Sequence, residues 1–235
     1  MLDLSEAFRA ALRQISVLDP HLIEIVGLSL RVTLTAVFLA TVIGFAVGGA
    51  LAVYRFPGRG TLAAVLNALM GLPPVVAGLF VYILLSNAGP LGVLQLLYTP
   101  VAMIIAQIIL IVPIIAALTR QTCEDLLEEY REQLRSLGAS SAATVTTLLW
   151  DGRYRLVTAV LAGFGRAIAE VGAVMIVGGN IDHVTRTMTT AIALETSKGN
   201  IALALALGMI LLTIALAINM ALMGIRRIAS RFAYA

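Results

Sequence analysis

Two oppositely charged side chains, Arg166 and Glu170, are four residues apart inside an otherwise apolar stretch. Residues at this spacing share a face of a helix, and charges at membrane depth are costly unless they face protein or water. One interpretation places the pair at a pore or dimer axis, where it meets a passing solute. The favoured interpretation is a buried ion pair that holds two spans together, because a pair that neutralises itself gives an anion little net attraction.

Two breaks in the apolar segments supply further pore or gate candidates. Pro73 and Pro74 follow Gly71 and Leu72, and this kink either turns freed carbonyls toward a passage or serves helix packing alone. Gly178 and Asn180 stand where a later apolar segment ends. The threonine-rich stretch 185–190 offers hydroxyl donors to an anion, but a capped surface turn that docks a partner is the favoured interpretation.

The residue pattern argues against enzymatic chemistry. The sequence contains no Gly-x-x-x-x-Gly-Lys-Ser/Thr phosphate loop. A membrane-embedded enzyme needs clustered ionisable residues, and the sequence offers little beyond Arg166 and Glu170. The single Cys123 and the widely separated His21 and His183 predict neither a catalytic thiol nor a metal site. We therefore expect no catalytic residue, no metal ion and no cofactor.

The elements that position these residues are apolar helices. The chain of 235 residues is 60% hydrophobic and 12% charged, with a mean hydropathy of +0.99, whereas soluble domains carry about 25% charged residues. Stretches 32–54, 60–119 and 199–225 contain no Asp, Glu, Lys or Arg, and each is long enough for one or two spans. They lack a period-two alternation. The sequence therefore predicts an all-α, polytopic membrane protein.

Five spans are predicted, at 22–54, 61–86, 100–119, 156–178 and 200–224. Loops 55–60 and 120–155 and the C-terminal residues carry ten Lys or Arg, against two in loops 87–99 and 179–199. The first group should therefore face the cytoplasm, which leaves the N-terminus outside. The predicted organisation is an amphipathic N-terminal segment at 1–21, a transmembrane domain at 22–225 and a cytoplasmic tail at 226–235.

Segment 120–155 concentrates the charge, with 11 of the chain's 29 charged residues. Its composition predicts a helix that stops at Gly138, which adopts a left-handed backbone easily, and then a short helix capped by Ser140 or Ser141. Trp150 is either an anchor at the bilayer surface or a knob into a partner. A helix, a corner and a short helix make a shape that fits a groove on a cytoplasmic partner.

This segment resembles the cytoplasmic loop of permeases from ATP-binding-cassette (ABC) importers. Their motif is Glu-Ala-Ala, three residues, Gly, nine residues, then Ile-x-Leu-Pro. Glu132 and Gly138 have that spacing and Leu148 takes the Ile position, whereas residues 133–134 and 150–151 depart from the motif. The resemblance implies the type I importer transmembrane fold with about five transmembrane helices and a coupling helix. It assigns contact with the ATPase to Glu132, Arg135, Gly138, Ala139, Ser140 and Trp150.

The C-terminal third narrows the resemblance. Residues 165–181 and 185–192 are similar to the tungstate branch of the oxyanion permeases, and less similar to the molybdate branch. This implies a homodimeric pore in the cytoplasmic membrane, separate cytoplasmic ATPase subunits, an extracytoplasmic oxyanion-binding protein and no nucleic-acid partner. The predicted function is ATP-driven import of an oxyanion, most closely tungstate, by alternating access. The alternatives are molybdate or sulfate import and, from a different class, an ion-coupled carrier, although such carriers commonly show inverted repeats and several buried acids.

Overall fold

A computed structural model describes residues 4–17 and 19–233, with the side chains of residues 8–13, 15–17 and 19–224. All regular structure in these residues is helical. One 3₁₀ turn is also present, at Gly92–Leu94. The α-helices are α1 (Leu4–Val17), α2 (Pro20–Val53), α3 (Arg59–Leu69), α4 (Pro74–Leu85), α5 (Pro100–Ser136), α6 (Ser141–Asp151), α7 (Arg153–Ile168), α8 (Gly172–Gly178), α9 (Met188–Ser197) and α10 (Ile201–Ala233).

The helices agree with the predicted number of membrane spans. Among the described residues, α2, α5 and α10 are each long and apolar enough to cross a membrane. The pairs α3–α4 and α7–α8 each pass the same test together across a short break, which gives up to five spans. The protein is therefore all-α and polytopic, as predicted, and its first span at Pro20–Val53 nearly coincides with the predicted 22–54.

Four parts of the helix pattern differ from the sequence prediction. Helix α5 continues without interruption from Pro100 to Ser136, since residues 120–136 are rich in strong helix formers. The predicted fourth span is broken at 169–171, and the predicted polar loop 180–198 contains α9. Helix α10 runs to Ala233, so the predicted tail at 226–235 begins inside a helix. The side chains from residue 225 onward lie outside the part of the chain whose side chains are described.

One compact unit comprises Met1–Ala36, Pro73–Gln107 and Ile168–Ile218. Its core includes Leu22 and Ile25 of α2 packed with Met188 and Ala191 of α9 and Leu207 of α10. In the same unit α4 and α8 touch backbone to backbone, because a Cβ added at Gly78 would lie 2.7 Å from the Cα of Ala173. The N-terminal helix predicted by the sequence is present as α1, and its buried Ala11 joins this core.

The second unit comprises Val37–Leu72, Ile108–Ala167 and Asn219–Ala235. Within it α7 packs closely on α5, since a Cβ added at Gly163 would lie 2.8 Å from Cγ2 of Ile111. The small residue at Gly163 thus lets the two helices approach closely, whereas nothing lies within 4 Å of a Cβ added at Gly165. The unit contains the C-terminal part of α5, from Ile108, and all of α6.

Candidate functional site

The corner between α5 and α6 is a Schellman turn. Gly138 has a φ of +63°, and its N–H donates to the carbonyl of Arg135 at 3.0 Å. The N–H of Ala139 donates to the carbonyl of Leu134 at 3.0 Å, which completes the pattern. The predicted helix stop at Gly138 is therefore confirmed, and the left-handed backbone there is the reason that the chain can turn sharply.

Helix α6 starts at a side-chain cap, and a buried leucine packs it against α2 and α5. The side chain of Ser140 accepts a hydrogen bond from the N–H of Ala143 at 3.2 Å, so Ser140 is the N-cap and Ser141 is the first helical residue. Leu148 is fully buried against Ala52, near the end of α2, and against Leu126 of α5. Leu148, which takes the Ile position of the importer motif, thus holds α6 against α2 and α5.

The residues predicted to contact the ATPase are all exposed in this unit. Glu132, Arg135, Gly138, Ala139 and Ser140 lie along the solvent side of the corner. Two large apolar side chains accompany this set: Leu137 is 82% exposed and Trp150 is 68% exposed. The guanidinium of Arg153 lies 4.8 Å from the centre of the Trp150 ring, a cation–π contact that steadies the indole without covering it. Their contact with an ATPase stays a prediction.

A cavity of about 500 Å³ lies beside this corner, within the same unit. Arg55, Arg131 and Arg135 line it, and none of its other lining residues is an Asp or Glu. This cavity was not predicted from the sequence, although Arg131 and Arg135 are one turn apart on α5 and therefore share a face. Three guanidinium groups without a lining carboxylate favour an anionic side chain or solute in this cavity.

A second feature that sequence reasoning missed is an arginine latch at the end of α2. The Arg59 Nε donates to the carbonyl of Leu51 at 2.6 Å, and Nη2 donates to the carbonyl of Ala52 at 3.3 Å. The same Nη2 pairs with the carboxylate of Glu124 on α5, which also pairs with Arg120 at 3.3 Å. The latch satisfies carbonyls that a helix end leaves open, and it joins α2 to α5.

The proline pair forms the predicted break. Pro73 is exposed, has an extended backbone with φ −61° and ψ 129°, and serves as the N-cap residue of α4. Pro74 is the first residue of α4, the position at which a missing N–H costs nothing. Gly71 and Leu72 donate to the carbonyls of Ala68 and Leu69, at 3.1 and 3.0 Å. The local role of these prolines is to end one helix and start the next.

Gly178 and Asn180 lie at the C-terminal end of α8, in a tightly bonded turn. Gly178 is buried, and its carbonyl accepts a hydrogen bond from the hydroxyl of Thr185. Gly179 ends the helix with a left-handed φ of +71°, and Asn180 is also left-handed at +50°. The Asn180 Nδ2 donates to the carbonyl of Thr190 at 3.4 Å. Both gate candidates therefore take part in bonds that close this turn.

Arg166 and Glu170 do not lie on one continuous helix, because α7 ends at Ile168 and α8 starts at Gly172. The assumption that they share a helical face is therefore wrong. Glu170 is 3% exposed, and its Oε1 accepts from the N–H of Ala173 at 2.9 Å, so this carboxylate caps the start of α8. The main-chain carbonyl of Glu170 accepts a hydrogen bond from the hydroxyl of Thr189 at 2.7 Å. The half-buried Arg166 also makes contacts.

The hydroxyls of the threonine-rich stretch are engaged inside the protein. Thr185 accepts from the N–H of Ile181 at 2.9 Å and donates to Gly178. Thr187 and Thr190 form a capping box at the start of α9, and both side chains are buried. Thr189 donates to the carbonyl of Glu170. This bonding favours the capped-turn interpretation over a ring of donors for an oxyanion.

His21 and His183 are neighbours despite the 161 residues between them in the sequence. Their ring centroids are 5.4 Å apart, and Nδ1 of His183 lies 2.7 Å from Oε2 of Glu24. The hydrogen bond to the carboxylate of Glu24, with the negative charges of Glu24 and Asp182, raises the pKa of the exposed His183 imidazole. Sequence separation was therefore a poor reason to expect no shared site for these histidines.

Several known proteins are similar in sequence to most of this chain. No protein-family model matches the chain. It is 41% identical over 216 residues to the tungstate uptake system permease protein TupB of Peptoclostridium acidaminophilum. The aligned residues cover 92% of this chain and 95% of that protein. It is 40% identical over 204 residues to the probable anion ABC transporter permease protein of Haloferax volcanii, which covers 85% and 88%. TupB of Campylobacter jejuni is 39% identical over 166 residues, 71% and 70% of the two chains.

Sulfate transport system permease proteins match at lower identity, 29% and 32% for two CysW proteins. The stronger matches confirm the resemblance that Glu132, Gly138 and the C-terminal third first indicated. Together with the apolar helices they identify a multi-pass protein of the cytoplasmic membrane. Because two relatives align at 40% identity or better over more than four-fifths of each sequence, this chain belongs to the family of ABC transporter permease subunits.

Proposed function

We propose that this chain is the translocating subunit of an ATP-driven importer for tungstate. The observation that carries the proposal is the 41% identity to a protein named as a tungstate uptake permease, along 92% of this chain. Relatives named as sulfate permeases are more distant, which favours tungstate over sulfate as the cargo. The cargo is a substrate that passes through the membrane, so the proposal requires no resident cofactor.

ATP hydrolysis in this proposal belongs to a separate cytoplasmic subunit. The exposed corner formed by Leu137, Gly138 and α6 would enter a groove on that ATPase, with Trp150 at its edge. Closure of an ATPase pair would displace α6. Since Leu148 is packed into Ala52 and Leu126, that displacement would move α2 and α5 with it. This supports alternating access driven from the cytoplasmic side.

The proposed assembly contains two copies of this chain, two ATPase subunits and an extracytoplasmic oxyanion-binding protein. The arginine-lined cavity beside Arg55 and Arg135 supports an ATPase surface with acidic side chains near the corner. The capped turn at residues 185–190, with its hydroxyls already engaged, supports a docking role on the opposite side of the membrane.

The experiment that tests the function measures tungsten, molybdenum and sulfur in cells with and without this chain, at nanomolar oxyanion, by mass spectrometry. We expect the loss of tungsten accumulation alone. Loss of molybdenum as well would widen the cargo to both metals. Loss of sulfur alone, or of none of the three, would overturn the tungstate proposal while leaving the family membership intact.

A matched control separates an ABC importer from an ion-coupled carrier. The same cells should carry the partner ATPase with its catalytic site inactivated, beside this permease unchanged. We expect tungsten uptake to fall to the level of cells that lack the permease. Uptake that survives in that strain, and collapses only when the ion gradient is dissipated, would favour the carrier instead.

A further inference from the structure

Four side chains with metal-binding atoms meet at the start of α2 and in the turn before α9. Ligand atoms of His21, Glu24 and His183 all lie within 4.8 Å of one another. Asp182 belongs to the same group, since its carboxylate oxygens lie 3.7 Å from Nε2 of His21 and 3.9 Å from Nε2 of His183. All four belong to one compact unit, on the side of the membrane predicted to face away from the cytoplasm.

The chemistry of this set suits a divalent metal ion of the zinc class. Imidazole nitrogen and carboxylate oxygen are ordinary zinc ligands, with bonds of about 2.0–2.2 Å in a tetrahedron. Such a tetrahedron places its ligand atoms roughly 3.3 Å apart. Among His21, Glu24 and His183 the separations bracket that value, from 2.7 Å between Nδ1 of His183 and Oε2 of Glu24 to 4.8 Å at most. Asp182 approaches the other ring nitrogen of His183, at 3.9 Å, so it becomes the fourth ligand only after a side chain rotates. The four side chains are 34–65% exposed, so rotamer changes can close the remaining distance without moving the backbone.

The backbones that carry these ligands are held in place on both sides. Leu22 and Ile25, which follow His21 and Glu24, are buried against Met188 of α9. The N–H of Met188 donates to the hydroxyl of Ser29 on α2 at 2.6 Å, a second tie between the same two elements. A site whose ligands are brought together by core packing loses less conformational entropy when the ion binds.

A neighbouring cation orients one of the ligands. Nη1 of Arg186 lies 2.8 Å from Oδ1 of Asp182, the oxygen that faces His21, while Oδ2 faces His183. His183 projects from a left-handed backbone with φ +58°, a conformation that costs energy in a residue other than glycine. Partners that orient metal ligands in this way raise the affinity of a site.

We propose that His21, Glu24 and His183, with Asp182 as the fourth ligand, bind one divalent zinc-class ion that fastens the start of α2 to the turn before α9. Nothing in the transport cycle requires the ion as cargo or as a catalyst. Its role is structural, at the face where an extracytoplasmic partner would dock.

The test uses the full-length permease, purified through a tag without histidine and placed in lipid nanodiscs. Zn²⁺ is titrated while the apparent melting temperature is followed, and Co²⁺ is titrated while its visible absorption is followed. We expect one ion per chain, a rise in melting temperature with Zn²⁺, and the intense visible band of four-coordinate Co²⁺. His21→Ala and His183→Ala should each weaken binding at least about 100-fold. The double variant is free of histidine, because the chain contains only two.

The matched control is Asp19→Asn, which removes a carboxylate at the same helix end. Asp19 accepts from the N–H of His21 at 2.9 Å, and asparagine caps a helix as well as aspartate does. This variant should bind Zn²⁺ within about twofold of the unaltered chain, since its ligand set is intact. Glu24→Gln keeps the size of the side chain, so its loss of binding cannot be attributed to misfolding. Absence of saturable binding in the unaltered chain, or equal binding by His183→Ala, would overturn the proposal.

Discussion

At the scale of single residues, the guanidinium of Arg59 makes contacts that could not be read from the sequence. It donates to Leu51 and Ala52 at the end of α2, and it pairs with Glu124 on α5. The Ser140 cap and the left-handed Gly138 were both predicted, because they depend on local rules. The Arg59 latch spans 65 residues, and no local rule indicates such a contact.

Replacing Arg59 should destabilise the unit that contains it. Arg59→Gln leaves two carbonyls and one carboxylate with fewer partners, so we expect a loss of about 1–3 kcal/mol in the free energy of unfolding. The measurement is the apparent melting temperature in detergent, read from the monodisperse fraction after heating. Arg55→Gln is the control, since Arg55 is exposed outside this latch. Equal melting temperatures for the two variants would contradict the assigned role.

Glu170 offers a test of structural capping against a pore function. Glu170→Gln keeps an acceptor oxygen for the N–H of Ala173, whereas Glu170→Ala removes it. We expect the alanine variant to lose about 1–3 kcal/mol of stability and the glutamine variant to lose less than the alanine variant. Tungsten uptake per folded permease should persist in Glu170→Gln. A well-folded Glu170→Gln permease that transports nothing would instead place the charge in the gate.

At the scale of elements, the sharp turn between α5 and α6 depends on the left-handed backbone of Gly138. A Cβ added at Gly138 would meet no atom within 4 Å, so a substitution there acts only through the positive φ. An L-residue in the left-handed region costs about 1–2 kcal/mol, asparagine costs less and β-branched residues cost more.

Substitutions at Gly138 should therefore uncouple transport in a graded order. We expect Gly138→Asn to retain most tungsten uptake, Gly138→Ala to retain less and Gly138→Val to abolish it, while the ATPase continues to hydrolyse ATP. Both rates are measured in proteoliposomes that hold the permease, its ATPase and the binding protein. Charge reversal at the exposed Glu132 should likewise weaken coupling. Normal transport by Gly138→Val would refute the coupling role of this corner.

The contact between α5 and α7 supplies a pair of matched substitutions. Gly163→Ala would place a methyl group 2.8 Å from Cγ2 of Ile111, whereas Gly165→Ala would enter open space. Overpacking a helix contact costs about 1–3 kcal/mol, whereas glycine to alanine in an open helical position gains up to about 1 kcal/mol. We expect opposite shifts in the apparent melting temperature, measured on both variants in one detergent. A shift of the same sign would contradict the close packing at Gly163.

Periodicity and composition located most elements and missed those that side-chain bonding creates. The span at Pro20–Val53 was predicted within two residues at each end, because an uncharged apolar run has few alternatives in a membrane. Helix α9 was missed because its threonines are typical of loops until Thr187 and Thr190 cap each other. The break after Ile168 was missed since nothing in the sequence marks Glu170 as a cap.

At the scale of the whole molecule, the two compact units hold different candidates. All six residues predicted for ATPase contact lie in the unit that contains Ile108–Ala167. Pro73, Pro74 and the turn at Gly178 lie in the other unit. Helix α10 exposes Leu212, Leu216 and Met220 along one stripe, which a lipid bilayer or a second copy would cover.

The proposed homodimer makes a quantitative prediction for the intact assembly. Native mass spectrometry of the complex, extracted together with its ATPase, should give two permease chains of 24.8 kDa each and two ATPase subunits. The permease alone should give a dimer under the same conditions, because the proposed pore would be formed between two symmetric copies. A stable assembly with a single permease chain would exclude the symmetric arrangement.

Trp150, which projects into solvent from α6, is also the chain's one tryptophan. The indole emission of the permease therefore arises from a single known position at the corner. Burial of this ring under an ATPase would shift its emission to shorter wavelength and shield it from a soluble quencher. The chain thus carries its own optical reporter of docking, which can be followed in time, without a label, as ATP is added.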